Sequence, residues 1–290
     1  DNINAMQGYT SGEQPLGSDT IKLNTNENPY PPSPAVQQAL TGISTDALRI
    51  YPQPTADALR EVIALHHDVQ QDNVVITNGG DEALRLALTT FVDPGAGFGM
   101  ATPSYSLYRV LADIQDAKVV DIPLDENWRL AKNFADELNT AEVQLTCVVN
   151  PHAPSGILTG TKELAELAQA IEGVLLIDEA YADFIEPELA YDSAKLLAEH
   201  DNILILRTFS EGYSLAGLRL GYLLGAKDLI DPVLGKSRDS YNISHISQAL
   251  GVAAFTDQQY AADTWAKARR DRAVMQQHLS QLGLSAPSSH

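Results

Sequence analysis

Four short clusters in this 290-residue chain hold the side chains that could do chemistry. Asn78, Gly79, Gly80, Asp81 and Glu82 follow the apolar run NVVIT, and NPHAPSG (150–156) follows LTCVV. VLLI ends in Asp178, Glu179, Ala180 and Tyr181, and SEGYSLAGLRLGY (210–222) follows ILILRTF. Two glycines opening a helix leave backbone N–H groups free to hold a phosphate; a plain glycine turn is the bland alternative. Asp178 comes after four apolar residues, so it is expected to be buried near a sheet edge, where an acid needs a partner. Arg219 lies among apolar residues in GLRLGY and reads either as an anion ligand or as a surface arginine lying along apolar neighbours. Tyr51, Tyr105 and Tyr181, taken singly, read as core aromatics.

The elements that must position these clusters follow from hydrophobic patterning. NVVIT, QLTCVVN (144–150), GVLLIDEAY (173–181) and NILILRTFS (202–210) contain short apolar runs of the buried parallel-strand kind. Helical spacing marks 55–69, 81–92, 104–116, 161–173 and a long stretch at 259–284. Strand and helix alternate, which predicts an α/β fold with a mainly parallel sheet covered on both faces. Ligands of such sheets bind beyond the carboxyl ends of the strands, where the four clusters lie. NTNENPYPPSP (24–34) has too many prolines for a helix or central strand and reads as an extended arm wrapping another surface.

Composition excludes several classes. The net charge of −19 makes the chain a poor partner for nucleic acid or anionic membrane. No apolar run reaches the length of a membrane span, and the first twenty residues have neither a basic nor an apolar segment of a signal peptide. The lone Cys147 forms no internal disulfide, which points to a reducing, cytoplasmic setting. No metal site is expected. GGDE echoes a cyclic-dinucleotide synthase signature but stands unsupported. The apolar run before Asp178-Glu179 echoes a Walker B strand, yet no G-x-x-x-x-G-K-[ST] occurs.

Taken together, KLNTNENPYPPSP (22–34), RIYP (49–52), TNGGDEAL (77–84), TPSYSLY (102–108), NPHAPSG, IDEAY (177–181) and RTFSEGYSLAGLRLGY (207–222) form a family pattern. The chain resembles the fold-type I pyridoxal-phosphate aminotransferases, most closely the histidinol-phosphate aminotransferases. The resemblance implies a large cofactor-binding domain over 51–245, an arm and start of a small domain over 1–50, and a long helix beginning a small C-terminal domain over 246–290 that continues past the last residue. It implies that Asp178 pairs with the pyridine nitrogen. Gly80, Asp81 and Glu82 at the helix start, with Ser210 and Arg219, would hold the phosphate. Tyr105 would stack on the ring, Tyr181 would reach its hydroxyl, and Asn150 belongs to the same cofactor shell. Tyr51 would reach a partner subunit's phosphate, so a homodimer is implied. Tyr9 and Asn26 would line the substrate end. The implied reaction exchanges an amine, histidinol phosphate or a related compound, with a 2-oxo acid such as 2-oxoglutarate.

Three departures qualify this. The family's Schiff-base lysine belongs directly after Ser210, where this chain has Glu211. A carboxylate forms no imine and repels the phosphate. None of the eight lysines follows a strand end within the motif. Ala153 replaces the asparagine usual before Pro-Ser-Gly, and the substrate-carboxylate arginine would fall after residue 290. Glu211 therefore reads in three ways. It is a change introduced into, or misread in, an otherwise ordinary aminotransferase, here impaired. Or the chain is a relative that binds cofactor without transaminating, or a structural partner with an empty site. Aromatic amino-acid and threonine-phosphate type enzymes share most of the same motifs.

Overall fold

The computed structural model describes residues 2–14 and 20–290; positions 1 and 15–19 of the expected arm lie outside the described residues. One sheet contains β1 (Val74–Thr77), β2 (Gly97–Thr102), β3 (Lys118–Pro123), β4 (Val143–Val149), β5 (Val174–Asp178), β6 (Ile203–Thr208) and β7 (Gly221–Gly225). Its order is β1-β7-β6-β5-β4-β2-β3. Strands β2 to β6 pair in parallel, while β7 runs antiparallel to both β6 and β1. Two reversals cancel, so β1 points the same way as β6. The carboxyl ends of β1 to β6 therefore share one edge, and β7 begins there.

The helices are α1 (Asn2–Ala5), α2 (Pro34–Gly42), α3 (Asp57–His67), α4 (Gly79–Phe91), α5 (Leu107–Gln115), α6 (Phe134–Thr140), α7 (Thr161–Ala170), α8 (Lys227–Pro232), α9 (His245–Thr256) and α10 (Gln258–Gln281). Strand side chains alternate between two core layers, as a two-residue period requires. Ile203 and Ile205 of β6 share one layer with Leu59 and Ile63 of α3 and Leu250 and Phe255 of α9. Leu204 and Leu206 face the other way, into the layer of Leu84 and Leu88 of α4 and Leu111 of α5. With both faces buried, every position of these strands gains from an apolar side chain, which is why the runs read as continuous. The α/β, mainly parallel expectation is met.

Strands β2, β3 and β7 went unassigned in the sequence. GFGMAT and GYLLG are rich in glycine, which weakens a strand signal, and sheet pairing alone sets the direction of β7. The long stretch read as helical at 259–284 is α10. Its first turns do find partners: Ala261 and Thr264 are buried, and Trp265 Nε1 donates to the Gly212 carbonyl at 2.7 Å. Beyond them Val274 and Met275 are exposed. No helix among the described residues is long and apolar enough to cross a membrane.

Candidate active site

Sheet register brings the clusters together. Gly221 at the start of β7 pairs with Thr77 of β1 on one side and Thr208 of β6 on the other. The residues just past those strands, Gly79 and Ser210, and the residue two before β7, Arg219, therefore meet at one point. The approach is close, since a Cβ on Gly221 would stand 2.9 Å from the Gly79 carbonyl carbon. Gly79 starts α4 at φ +80°, a conformation that costs glycine little.

Arg219 takes up the space that a Gly79 side chain would fill, with Nη2 2.6 Å from the position of a Cβ there. Its Nη1 donates to the Ala216 carbonyl at 3.1 Å, and Nη2 pairs with Asp81 Oδ2 at 3.4 Å. Glu82 is spent otherwise: its Oε2 accepts from the Asn78 N–H at 2.5 Å and from Asn242 Nδ2 at 2.8 Å. What this helix start offers an anion is thus the backbone N–H groups of its first turn, including those of Gly80 and Asp81, rather than side chains. Ser210 is buried beside them, its N–H donating to Thr208 Oγ1 at 3.1 Å and its hydroxyl accepting from that same oxygen at 3.0 Å.

Asp178 ends β5 only 6% exposed. The Tyr108 hydroxyl donates to its Oδ2 at 2.6 Å and the Ala180 N–H to Oδ1 at 3.2 Å. Burial pushes its carboxyl up to about 6, against the pull of the Tyr108 hydrogen bond. Tyr105, in the loop just before α5, meets that ring edge-on at 5.6 Å and the Tyr9 ring at 5.9 Å. Burial raises the Tyr105 phenol first of all. The Tyr181 hydroxyl accepts from Asn26 Nδ2 at 3.0 Å, which ties the arm to the loop after β5.

Glu211 directly follows Ser210. Its backbone carbonyl accepts from Asn28 Nδ2 at 2.8 Å. Its Oε2 is sealed from solvent with no hydrogen-bond partner. Burial raises its carboxyl to about 7; its own backbone N–H and the charge of Arg219 oppose the rise, and the charges of Asp178 and Asp183 add to it. No lysine appears among the described partners of Asp178, Tyr181, Ser210 or Glu211.

Asn150 is hydrogen-bonded within the protein. Its Nδ2 donates to the Thr159 carbonyl at 3.0 Å and the Tyr191 hydroxyl at 2.8 Å, and its Oδ1 accepts from the Thr159 N–H at 2.7 Å. One donor hydrogen closes the 150–159 loop and the other goes to Tyr191. Tyr51 stands 79% exposed, stacked on Tyr241 at 4.7 Å, away from the other residues of the group.

Several contributors escaped the sequence reading. Tyr108 lay within the quoted TPSYSLY, but its bond to Asp178 spans 70 positions. Asn28 likewise reaches Glu211 from the arm. Behind the site, Arg207 Nε pairs with the fully buried side chain of Glu179 at 2.6 Å, and Nη1 with Asp183 at 3.5 Å. Tyr191 donates to Glu179 as well. A cavity of about 720 Å³ opens beside His66, His67, Tyr191, Arg207 and Arg269; Asp178, Ser210, Glu211 and Arg219 do not line it.

The family model described as aminotransferase class I and II matches residues 18–290. Histidinol-phosphate aminotransferase 1 of Trichormus variabilis is 41% identical over 290 residues, spanning all of this chain and 81% of that protein. The histidinol-phosphate aminotransferase of Geotalea daltonii is 39% identical with the same two coverages. Among solved structures, the histidinol-phosphate aminotransferase of Sinorhizobium meliloti in complex with pyridoxal 5'-phosphate has a TM-score of 0.84 at 24% identity, covering 91% of this chain and 72% of that one. A mutant aspartate aminotransferase of Thermus thermophilus gives 0.77 at 23% identity, covering 91% and 73%. At these identities the two structures speak for the fold alone.

Proposed function

Since the chain belongs to the class I and II aminotransferases, we propose that it holds pyridoxal 5'-phosphate by non-covalent contacts and exchanges histidinol phosphate, or a related amine, with 2-oxoglutarate only poorly. The observation carrying this reading is Glu211, a carboxylate with one sealed and unpartnered oxygen, between Ser210 and Arg219 in the loop after β6.

The residues present suit the cofactor's ring and phosphate but not a covalent link. Each Asp178 oxygen keeps a lone pair beyond its one protein hydrogen bond, enough to accept from a protonated ring nitrogen. The Gly79 face has no Cβ, and Arg219 occupies it with a guanidinium suited to phosphate. When bound, pyridoxal 5'-phosphate supplies an electron sink for exchange between amines and carbonyls.

The chain's own residues then do the following. Asp178 holds the proton on the ring nitrogen. The N–H groups of Gly80, Asp81 and Glu82, the Ser210 hydroxyl and Arg219 bind the phosphate. Tyr105 covers a ring face, Tyr181 bonds the ring hydroxyl, and Tyr9 and Asn26 border the substrate. Tyr51, exposed in a single chain, serves a second copy in a homodimer. The cofactor-binding domain covers 51–245. Glu211 can hold or release a proton at Oε2 but offers no amine nucleophile.

The test is the rate of 2-oxoglutarate-dependent turnover of histidinol phosphate by the chain and by Glu211→Lys. The chain should be slower by at least about 10²–10⁴-fold, the usual weight of a positioned proton shuttle. Equal rates would remove position 211 from the chemistry. Inactivity of both proteins would favour a relative that binds without turnover.

A further inference from the structure

We propose that the cavity on the α3 and α9 face of the sheet is a second ligand site, built to take a free α-amino acid with an apolar or aromatic side chain. Its anchors are Arg207 and Asp183, which both line it. This cavity is separate from the edge that holds Asp178. Arg207 pairs across the sheet with Tyr222, on the face of Ile177 and Ile205, and carries Glu179 with it. Asp178 meets Tyr108 on the opposite face, the one covered by α4 and α5.

The anchors are fixed but only half used. Arg207 interrupts the apolar run of β6, which carries its guanidinium into the fold. Nε donates to Glu179 at 2.6 Å and Nη1 to Asp183 Oδ1 at 3.5 Å. Among the described residues Nη2 has no hydrogen-bond partner, and it is not sealed from solvent. Asp183, two residues after Tyr181, is the complementary case. Its one ion pair sits at the outer limit of hydrogen-bonding distance, and its Oδ2, also unsealed, occupies the space that a Gly212 side chain would fill. Two acids share one guanidinium, so negative charge exceeds positive in this trio. Burial holds the Asp183 carboxyl up at about 6 even with Arg207 pulling it down.

An α-amino acid answers both needs with adjacent groups. Its ammonium gives Asp183 the cation that Arg207 supplies only in part, and its carboxylate accepts from the free Nη2 edge. Being neutral overall, it enters without the repulsion that a plain carboxylate would meet from the acids of the wall. The other charges there are answered or open to water. Glu186 is held by Arg272 and His290, Asp192 pairs with Lys195 at 3.3 Å, and Asp68 is exposed. Arg269 has a single contact, to the Ile185 carbonyl at 3.5 Å, and brings a second guanidinium for the carboxylate. Ile185, Ala194 and Leu197 supply an apolar wall. Trp265 spends its N–H on Gly212, so its ring serves the cavity as an apolar surface. A volume of about 720 Å³ is ordinary for a small-molecule site.

The chain has two tryptophans, Trp128 and Trp265, and of these Trp265 lines the cavity. With Trp128→Phe in place, tryptophan emission is a reporter local to the cavity. The probes are L-phenylalanine, 3-phenylpropionate, which lacks the ammonium, and 2-phenylethylamine, which lacks the carboxylate. L-phenylalanine should shift the emission saturably and bind about 10- to 100-fold tighter than either, the range of a hydrogen bond to a charged group. Asp183→Asn, which keeps the shape, should weaken L-phenylalanine to the level of 3-phenylpropionate. Ala262→Phe, which fills the cavity from α10 and leaves both anchors in place, should abolish the response while Tm is retained. No saturable response to L-phenylalanine, or equal affinity for the three probes, overturns the proposal. So does L-phenylalanine binding that is unchanged in Asp183→Asn or in Ala262→Phe, which would place the amino acid elsewhere on the chain.

Discussion

Arg219 lies against the bare face of Gly79, its Nη2 where a side chain on that residue would collide with it. The pair is one device: the glycine's missing Cβ is the guanidinium's seat. Gly79→Ala should displace Arg219 and also strain a backbone at φ +80°, by about 1–2 kcal/mol. We expect affinity for 4-deoxypyridoxine 5'-phosphate to fall about tenfold or more by calorimetry, with a lowered Tm. Unchanged affinity would show that Arg219 does not hold the anion.

Tyr108 is the main support of the Asp178 carboxylate. Tyr108→Phe should cost about 1.5–3 kcal/mol in urea unfolding at pH 8, where Asp178 is ionised. Because the lost bond favours the charged form, the difference should narrow at pH 5. A cost independent of pH would mean that the hydroxyl matters only for packing.

Burial raises three carboxyls at this sheet edge, Asp178 and Asp183 to about 6 and Glu211 to about 7. Between their unfolded and folded values the folded chain binds more protons than the unfolded one, so stability falls as pH rises through that window. Thermal melts should show Tm climbing from pH 8 to about pH 5.5. Glu211→Gln removes one of the three groups, so its profile should be flatter between about pH 4.5 and 7. A profile parallel to that of the unaltered chain would place Glu211 in solvent.

Arg207 neutralises two acids that are otherwise buried together, Glu179 and Asp183. Arg207→Met keeps most of the volume but strands both carboxylates. Unfolding should become easier by about 3–5 kcal/mol at neutral pH. A loss below 1 kcal/mol would mean that water reaches the pair.

Much of this architecture is local information. The apolar runs ending in Thr77, Val149, Asp178 and Thr208 bury both faces, so their patterning announces a covered parallel sheet and its carboxyl edge. Gly79, Asp178 and Arg219 stand out because each breaks such a run with a residue that needs a reason. Contacts across long sequence separations were not legible. The antiparallel course of β7 depends on which strands flank it, and the Tyr108 bond to Asp178 depends on how α5 lies over β5. Nor were the partners of Asn150 legible: a polar residue at a strand end invites a ligand role, and its bonds to Thr159 and Tyr191 show only in the folded chain. Coverage of the long helix by Gly212 could not be read from the helix itself.

Two amides of the arm, two residues apart, clasp the two loops that flank the site: Asn26 holds the Tyr181 hydroxyl and Asn28 the Glu211 carbonyl. The clasp consists of neutral hydrogen bonds worth about 1 kcal/mol each, so its release is a frequent local event that leaves the fold intact. Lys22, the only basic residue before Arg49, makes this event visible as a clock. Trypsin should cut after Lys22 at a rate set by how often the arm lets go, and any occupant that steadies Tyr181 or Glu211 should slow that clock. The strap thus converts what happens between these two loops into the cleavage lifetime of a peptide bond in the arm.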